Sequence, residues 1–270
     1  MILNNRIWRL AAASTVTLYA FGIACAQLGP NLVNNGSFET PIGDNRWGRN
    51  PNTWFAGQTF DGWTVTLGSV DIVRSGVPPF GAGLSYDGVQ ILDLNGAVVG
   101  GISQNITIAD QGIYRLHFAL TGNTAGDPDS PRIVRVRLSL GATDAFNSTF
   151  TWKLSDHPNH DAFNLLSWDV YQVDFLVPTA GIYTLSFTSL TFTNNIWGPM
   201  IDDVRLQLVP CTAHNGDVDA NGCVDDADLL AVLFAFGSTG SNLGRVDVNC
   251  DEVVDDADLL IVLFNFGSGC

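Results

Sequence analysis

A segment near the end of the chain is repeated. Residues 224–238 and 254–268 are identical at 13 of 15 positions, with an offset of 30 residues. Self-similarity at a fixed offset indicates repeated structural units. The end of the chain is therefore predicted to contain two copies of one small element that differs from everything before it.

Oxygen-bearing side chains accompany each copy at the spacing of a twelve-residue calcium-binding loop. In the first loop, positions one, three, five, seven, nine and twelve are Asp217, Asp219, Asn221, Cys223 through its backbone carbonyl, Asp225 and Asp228. In the second loop, the same positions are Asp247, Asn249, Asp251, Val253, Asp255 and Asp258. A solvated acidic turn would explain one such set but not two, so two Ca²⁺ sites are predicted.

Charge and turn chemistry refine this prediction. Residues 210–270 contain eleven acidic residues and one basic residue, Arg245, so repulsion between carboxylates would oppose folding without a cation. Position six, where such loops turn sharply, is Gly222 in the first copy and Glu252 in the second. Because a non-glycine residue at positive φ is strained, the second site is expected to be weaker or differently shaped.

A short helix is predicted after each loop. The two helices cover residues 229–236 and 259–266, with Gly237 and Gly267 just beyond their ends. Both are apolar on almost every face. A module of about 60 residues cannot bury that much apolar surface within itself, so some of it is expected to meet a partner.

Residues 215–266 resemble a type I dockerin, which consists of two repeats of a calcium loop and a helix. The resemblance implies a cohesin domain as partner. It also implies that positions ten and eleven of each loop face that partner, and these are Asp226 with Ala227 and Asp256 with Ala257. Because the two pairs are identical, docking in either of two orientations is expected.

The N-terminus has the pattern of a secretory signal peptide over residues 1–26. Arg6 and Arg9 precede a short apolar run over residues 10–23, and residues 24–26 fit the small-residue cleavage pattern. An N-terminal membrane anchor is the alternative, but the run is short and no stop-transfer pattern follows it. The chain is therefore predicted to be secreted, extracellular or associated with a cell surface.

Four cysteines remain once residues 1–26 are removed. They are Cys211, Cys223, Cys250 and Cys270. An even number in a secreted chain indicates disulfides, with three connectivities open. Pairing of Cys211 with Cys223, and of Cys250 with Cys270, is preferred because the first two lie close in sequence.

Residues 27–209 have the pattern of β-strands. Alternating or β-branched runs occur at residues 69–73, 89–94, 102–108, 113–120, 133–140, 170–177, 182–192 and 201–209. Clusters of Gly, Pro, Asn and Asp separate them, and no helical period intervenes. The fold class is therefore predicted as mainly β: an antiparallel jelly-roll β-sandwich, followed by a small α-helical dockerin-like module over residues 210–270.

Composition and motifs exclude several functions for the sandwich. The net charge of −15 excludes a nucleic-acid partner held by phosphate neutralisation. Glycosidases need two carboxylates, and the single Glu of the sandwich is Glu39, so a glycoside hydrolase is less favoured than a non-catalytic protein. The cluster of His157 and His160 with neighbouring acids could bind a metal or supply a base, but is interpreted as a polar loop.

Aromatic residues in Gly- and Asn-rich loops favour carbohydrate binding. Flat rings stack on the C–H faces of sugars while polar neighbours bind the hydroxyl groups. The candidates are Trp47, Trp54, Phe80, Tyr86 and Trp197. A neutral or weakly charged glycan is expected, since acids outnumber bases, with a uronate bound by Arg46 and Arg49 beside Trp47 as the alternative. If the rings instead anchor their loops, the chain would be a structural surface or matrix protein whose sandwich binds no sugar.

Segments along the sandwich resemble the galactose-binding-like sandwiches of carbohydrate-binding modules, and among these the choice-of-anchor C type. They lie at residues 31–39, 62–63, 69–73, 90–96 and 198–204. The resemblance implies a polysaccharide or glycan ligand. It also implies a structural Ca²⁺ bound by Glu39 and by Asp202 or Asp203, with turn capping as the alternative role of these carboxylates.

Overall fold

The structure is a computed structural model that describes residues 28–125, 130–192, 196–211, 213–240 and 243–270. The predicted signal peptide lies outside the described residues. None of the helices described is long and apolar enough to cross a membrane. The strands are β1 (Thr53–Phe55), β2 (Thr59–Phe60), β3 (Trp63–Leu67), β4 (Ser69–Arg74), β5 (Gln90–Asp93), β6 (Gly101–Ile108), β7 (Gly112–Gly122), β8 (Arg132–Leu140), β9 (Thr143–Trp152), β10 (Asp169–Val177), β11 (Gly181–Ser189) and β12 (Pro199–Leu208), and the helices are α1 (Asp226–Ala235) and α2 (Asp256–Phe264).

The strands form two six-stranded sheets. Sheet A has the order β1-β4-β5-β12-β7-β10, and sheet B has the order β2-β3-β6-β11-β8-β9. Neighbouring strands are antiparallel in both sheets. The predictions of a mainly β chain and of two packed antiparallel sheets are confirmed.

The main core lies between the sheets because successive side chains of a strand point to opposite faces. On β4, Val70 and Ile72 are buried in this core, whereas Asp71 and Val73 lie on the outer face of sheet A. Trp63 of β3 is completely buried in the same core.

A second, smaller apolar cluster lies on the outer face of sheet A. Its buried members are Val73, Leu84, Ile91, Leu166 and Met200. Leu84 comes from the loop between β4 and β5, and Leu166 from the loop between β9 and β10. These two loops are therefore packed over the sheet, and they shape what can approach its outer face.

Each of the eight strand runs predicted from the sequence overlaps a strand of the structure. The pattern missed β1, β2, β3 and β9. The first three are short, with two to five residues each. Strand β9 lies at the edge of sheet B, and half of its residues are exposed Thr, Asp or Asn, so its apolar pattern is weak.

Both predicted helices are present, but they begin three residues earlier than predicted. Asp225 and Asp255 are the N-caps, and each takes part in a capping box with the Asp three residues later. Gly237 and Gly267 have φ of +82° and +83°, as the predicted helix ends require.

The two repeats are joined crosswise. The amide of Val224 donates to the carbonyl of Ser268 (3.0 Å), and that of Val254 donates to Ser238 (2.9 Å). The segment after each helix therefore pairs with the calcium-loop segment of the other repeat. Six valines form the core between them: Val218, Val224, Val232, Val248, Val254 and Val262.

The preferred disulfide pairing was wrong. The bonds join Cys211 to Cys250 and Cys223 to Cys270. The crosswise pairing of the repeats explains this result, because the segment after α2 runs along the first loop and brings Cys270 beside Cys223. Proximity in sequence does not reveal such a contact.

Candidate functional site

A cleft of about 320 Å³ opens on the outer face of sheet A. Its walls come from β1, β4 and β5 and from the loops around them. It is lined by Trp47, Gly48, Thr53, Asp71, Val73, Pro79, Phe80, Asp93, Gly96, Ala97, Asn123, Phe163, Ile196 and Trp197. Four aromatic rings and two carboxyl groups thus share one surface.

The aromatic rings come from four separate loops. The ring centroids of Trp47 and Phe80 lie 6.0 Å apart in an edge-to-face contact, and Phe80 stacks on Phe163 with centroids 5.7 Å apart. Trp47 remains 44% exposed, so much of its surface is free to meet a ligand. Because Phe80 packs against both Trp47 and Phe163, this part of the wall is held in place before any ligand arrives.

Polar side chains form the floor of the cleft. Strand pairing aligns Thr53, Asp71, Asp93 and Met200 across β1, β4, β5 and β12. The side chains of such a row lie on one face of the sheet. Asp71 and Asp93 are therefore direct cross-strand neighbours on the floor.

The two floor carboxyls differ in their partners. Asp93 is 2% exposed and accepts hydrogen bonds from the amide of Asn95 (2.8 Å) and from Nδ2 of Asn123 (2.8 Å). The Asp71 oxygen Oδ1 is buried and has no hydrogen-bond partner among the described residues. Burial raises the pKa of Asp71 to about 6 and that of Asp93 to about 7.

A buried arginine holds one of the polar residues of this floor in place. The guanidinium of Arg132 donates to the carbonyl of Asn123 through Nε (2.8 Å) and Nη2 (2.6 Å). Asn123 in turn donates to Asp93. Arg132 is completely buried, so it positions Asn123 and is not exposed in the cleft.

The structure brings together three of the five aromatic residues predicted to bind sugar: Trp47, Phe80 and Trp197. It places the other two elsewhere. Trp54 packs against the main core, with its ring 5.2 Å from that of Phe60, and Tyr86 contacts Trp168. Neither lines the cleft: Trp54 lies on β1 and points to the face of sheet A opposite to that of Thr53, and Tyr86 lies in another part of the loop between β4 and β5.

Sequence reasoning missed Phe163, Asp71, Asp93 and Asn123. Phe163 lies in the loop after the His cluster, which was interpreted only as polar. Asp71 and Asp93 each interrupt an apolar strand run, at residues 69–73 and 89–94. A carboxyl within an otherwise apolar run is the signal that could have identified them.

Two of the three carboxylates predicted to bind a calcium ion in the sandwich accept hydrogen bonds from backbone amides of one loop and the strand after it. Glu39 accepts from the amides of Val89 and Gln90 (2.7 and 2.8 Å), and Asp202 accepts from those of Tyr86 and Asp87 (2.8 and 2.9 Å). Both therefore anchor the loop that ends at β5. Asp203 is paired with Arg205 and His117 instead.

The His cluster packs against the core rather than opening into the cleft. Trp152 stacks on His157 with ring centroids 4.8 Å apart and contacts His160 at 4.7 Å. Burial, followed by the effect of His157, lowers the pKa of His160 to about 4. The packing of both histidines against Trp152 fits the interpretation of this segment as a loop without a catalytic or metal-binding role.

In the first calcium-type loop, the carboxylate oxygens of Asp217, Asp219 and Asp228 lie within 4.8 Å of one another. Asp217 accepts from the amides of Asn221 and Gly222 (both 3.1 Å), which folds the loop around these oxygens.

The second loop repeats this geometry. Asp247 accepts from the amides of Asp251 and Glu252 (3.1 and 3.0 Å), and Asp258 accepts from Val248. Glu252 has φ of +70°, the strained conformation predicted for position six. Asn249 stands where the first loop has Asp219, and Asp251 stands where the first loop has Asn221, so each set contains four carboxylates.

The predicted partner positions lie at the start of the helices. Asp226, Ala227 and Asp256 are exposed, and Ala257 is partly exposed. An apolar surface continues along both helices, formed by Leu230, Leu233, Phe234, Phe236, Leu260, Leu263, Phe264 and Phe266. Phe234 and Phe264 are 88% and 83% exposed, so the expected unburied apolar surface is present in both repeats.

The sandwich matches a family model and part of a much larger protein. A family model described as "Protein of unknown function (DUF642)" matches residues 31–207. Halomucin of Haloquadratum walsbyi is 31% identical over 179 residues, which is 66% of this chain and 2% of Halomucin. The chain thus spans a very small part of that relative.

Two solved structures are similar to the sandwich. The structure of TmCBM61 in complex with β-1,4-galactotriose has 14% identity and a TM-score of 0.41, covering 66% of this chain and 98% of that one. The CBM22-1 xylan-binding domain from Paenibacillus barcinonensis Xyn10C has 15% identity and a TM-score of 0.38, covering 69% and 99%.

Proposed function

The chain belongs to the DUF642 family, and we propose that it is a secreted, non-catalytic protein that binds a polysaccharide or other glycan in the cleft on sheet A. One observation carries this proposal: the cleft combines aromatic rings with polar groups on a shared floor. Sugar rings present C–H faces to aromatic surfaces and hydroxyl groups at their edges, so they match both features. Clefts of this volume are typical of small-ligand sites.

Binding is favoured over hydrolysis by the surroundings of Asp93. Glycosidases use two carboxyls that reach the scissile bond. Asp93 is 2% exposed, and each of its oxygens accepts a hydrogen bond. It is therefore placed to support the floor rather than to attack a substrate or protonate a leaving group.

A glycan array probed with the full chain tests the proposal. Trp47→Ala should weaken binding about fivefold or more, because stacking on a ring contributes on the order of 1 to 3 kcal/mol. Phe55→Ala is the matched control, since Phe55 is 40% exposed but lies outside the cleft. Absence of any glycan ligand would favour the structural-protein alternative, and release of sugar products would favour a hydrolase.

For the C-terminal module we infer calcium-dependent attachment to a cohesin-bearing scaffold or cell surface. The oxygens of Asp217, Asp219 and Asp228 fit a hard cation, because Ca²⁺ prefers carboxylate and carbonyl oxygens. The exposed apolar surface on both helices supports a protein partner. The two disulfides fit an oxidising, extracellular location.

Chelation tests the calcium assignment. Removing Ca²⁺ from the full chain should lower the melting temperature of the C-terminal module while that of the sandwich changes less. Asp217→Ala and Asp247→Ala should each reproduce the effect in one repeat. Asp174→Asn, an exposed acid on β10 paired with Arg115, is the control. Identical melting with and without chelator would rule the sites out.

A further inference from the structure

We propose that the cleft on sheet A selects a sugar bearing a protonated amine, that is, a hexosamine without its N-acetyl group, over the matching neutral or acidic sugar. The inference rests on the proposed glycan-binding function and specifies its ligand. It follows from the charge, the unpartnered oxygen and the aromatic walls of the cleft.

The charge of the cleft is of one sign. Asp71 and Asp93 are the only ionisable side chains among the described residues that line it. Residues 126–129 and 193–195, which flank cleft residues in sequence, contain no Lys, Arg or His. A uronate or sulfated sugar would add a further negative charge beside these two carboxyls, whereas an ammonium group would bring the opposite charge.

Asp71 presents an acceptor that the protein leaves unused. Its Oδ1 atom is buried without a hydrogen-bond partner. The neighbouring residue over it is Gly96, and a Cβ atom there would lie 2.9 Å from this oxygen. Gly96 therefore lies close against this oxygen, while the Asp71 side chain as a whole remains partly exposed in the lining of the cleft. Hydrogen bonds from an ammonium to a carboxylate are stronger than those between neutral groups.

The neighbouring groups favour a cation over a neutral hydroxyl as that donor. Asp93 is the cross-strand neighbour of Asp71, so an ammonium beside Asp71 would also offset the repulsion between the two carboxylates. The rings of Trp47 and Phe80 form the adjacent wall, and aromatic faces attract cations. Carboxylates beside aromatic rings form a surrounding suited to an amine.

The protonation of Asp71 and Asp93 provides a second way to test the proposal, because binding of an ammonium should change it. Burial raises the pKa of Asp71 to about 6 and that of Asp93 to about 7, the latter also through the charge of Asp71. Other groups facing the pair oppose this rise: hydrogen bonds from Asn123 and Asn95, and then the charge of Arg132, lower the pKa of Asp93, and a hydrogen bond from Thr53 on β1 lowers that of Asp71. An ammonium stabilises the ionised carboxyls, so while the sugar amine stays fully protonated its binding should release protons and should strengthen as the pH rises from 5 to 6.

The experiment uses the full chain with matched sugar sets. Glucosamine, N-acetylglucosamine, glucose and glucuronate oligomers of one β-1,4 length are titrated by calorimetry, with galacto-configured sets in parallel. At pH 7 the amino form should bind at least about tenfold more tightly than the other three. Repeating the titration in buffers of different ionisation enthalpy measures the released protons.

Asp71→Asn is the decisive variant. It keeps the shape of the side chain, and it should remove most of the preference for the amine and lessen the rise in affinity with pH, since Asp93 still titrates. Asp174→Asn removes one exposed acid of sheet A outside the cleft and should change neither. Melting temperatures of both variants verify folding.

The outcomes separate the two proposals. If neutral and amino sugars bind equally, or if Asp71→Asn keeps the preference, the amine proposal is wrong while glycan binding stands. If the uronate binds best, the amine proposal is wrong as well. If no set binds and Trp47→Ala changes nothing on the array, both proposals are wrong.

Discussion

At the scale of single residues, Asp93 should make the stability of the sandwich depend on pH. Burial raises its pKa from 3.8 to about 7 in the folded chain. The folded state therefore holds this proton more tightly than the unfolded state between those values, and the free energy of unfolding should fall as pH rises through this window. The loss is on the order of 1.4 kcal/mol per pKa unit.

Denaturant unfolding at pH 5 and pH 8 measures this dependence. Asp93→Asn cannot titrate, so its profile should be shallower than that of the parent chain, whatever its absolute stability. Asp174→Asn, which removes an exposed and ion-paired carboxyl, should leave the slope unchanged. Parallel profiles for Asp93→Asn and the parent would contradict the buried-acid assignment.

The same residues show what sequence can predict about a site. The aromatic residues of loops were visible as candidates because large rings among Gly and Asn are unusual. Which rings converge was not visible, because Trp47 and Phe80 meet only through the folding of separate loops. The pairing of Asp71 with Asp93 depends on strand register, and periodicity does not give the register between distant strands.

At the scale of secondary-structure elements, Asp225 and Asp255 have a structural role that calcium ligation does not require. Asp225 accepts a hydrogen bond from the amide of Ala227 (2.9 Å), and Asp255 accepts one from Ala257 (2.8 Å). Loss of such an N-cap costs about 1 kcal/mol, and Asn caps about as well as Asp.

Asp225→Ala should therefore destabilise the C-terminal module by about 1 kcal/mol even in excess chelator, whereas Asp225→Asn should not. Urea unfolding followed by helical circular dichroism measures the difference. With calcium restored, any additional loss in Asp225→Asn would report a role as ligand. Equal stability of the Ala variant and the parent in chelator would show that the cap contributes nothing.

The strands predicted most accurately are those in which buried and exposed side chains alternate along the sequence. Strands β6, β7 and β8 have alternating buried and partly exposed residues, and each was predicted to within two residues of its ends. Helices α1 and α2 were found from the repeat and their C-terminal glycines. Their first three residues were assigned to the calcium loops, because in such a loop the last ligand already lies within the following helix.

At the scale of the whole molecule, the disulfides should hold the two repeats together. Cys211–Cys250 and Cys223–Cys270 span 39 and 47 residues. Closing loops of this length stabilises a fold by about 4 kcal/mol each in the chain-entropy account. Replacing Cys223 and Cys270 together by Ser should therefore lower the stability of the module by several kcal/mol, measured by denaturant unfolding.

Peptide mapping without reduction checks the connectivity directly. It should recover a peptide pair joined through Cys211 and Cys250 and another joined through Cys223 and Cys270. A bond between Cys211 and Cys223 would contradict the crosswise arrangement of the repeats.

The last prediction concerns docking, and it follows from the near identity of the repeats. Asp226 with Ala227 and Asp256 with Ala257 occupy equivalent places at the starts of α1 and α2, and the exposed Phe234 and Phe264 are equivalent as well. If either repeat can occupy the same position against a cohesin domain, the cohesin has two equal ways to bind.

Changing Asp226 and Ala227 to Arg and Tyr should then leave affinity within about twofold, since removing one of two equal binding orientations costs only RT ln 2. The same change at Asp256 and Ala257 should do likewise, and only the combined variant should abolish binding in surface plasmon resonance against a panel of type I cohesins. A large loss from one single-repeat variant would show that docking has one orientation, and undiminished binding by the combined variant would place the contact elsewhere on the module.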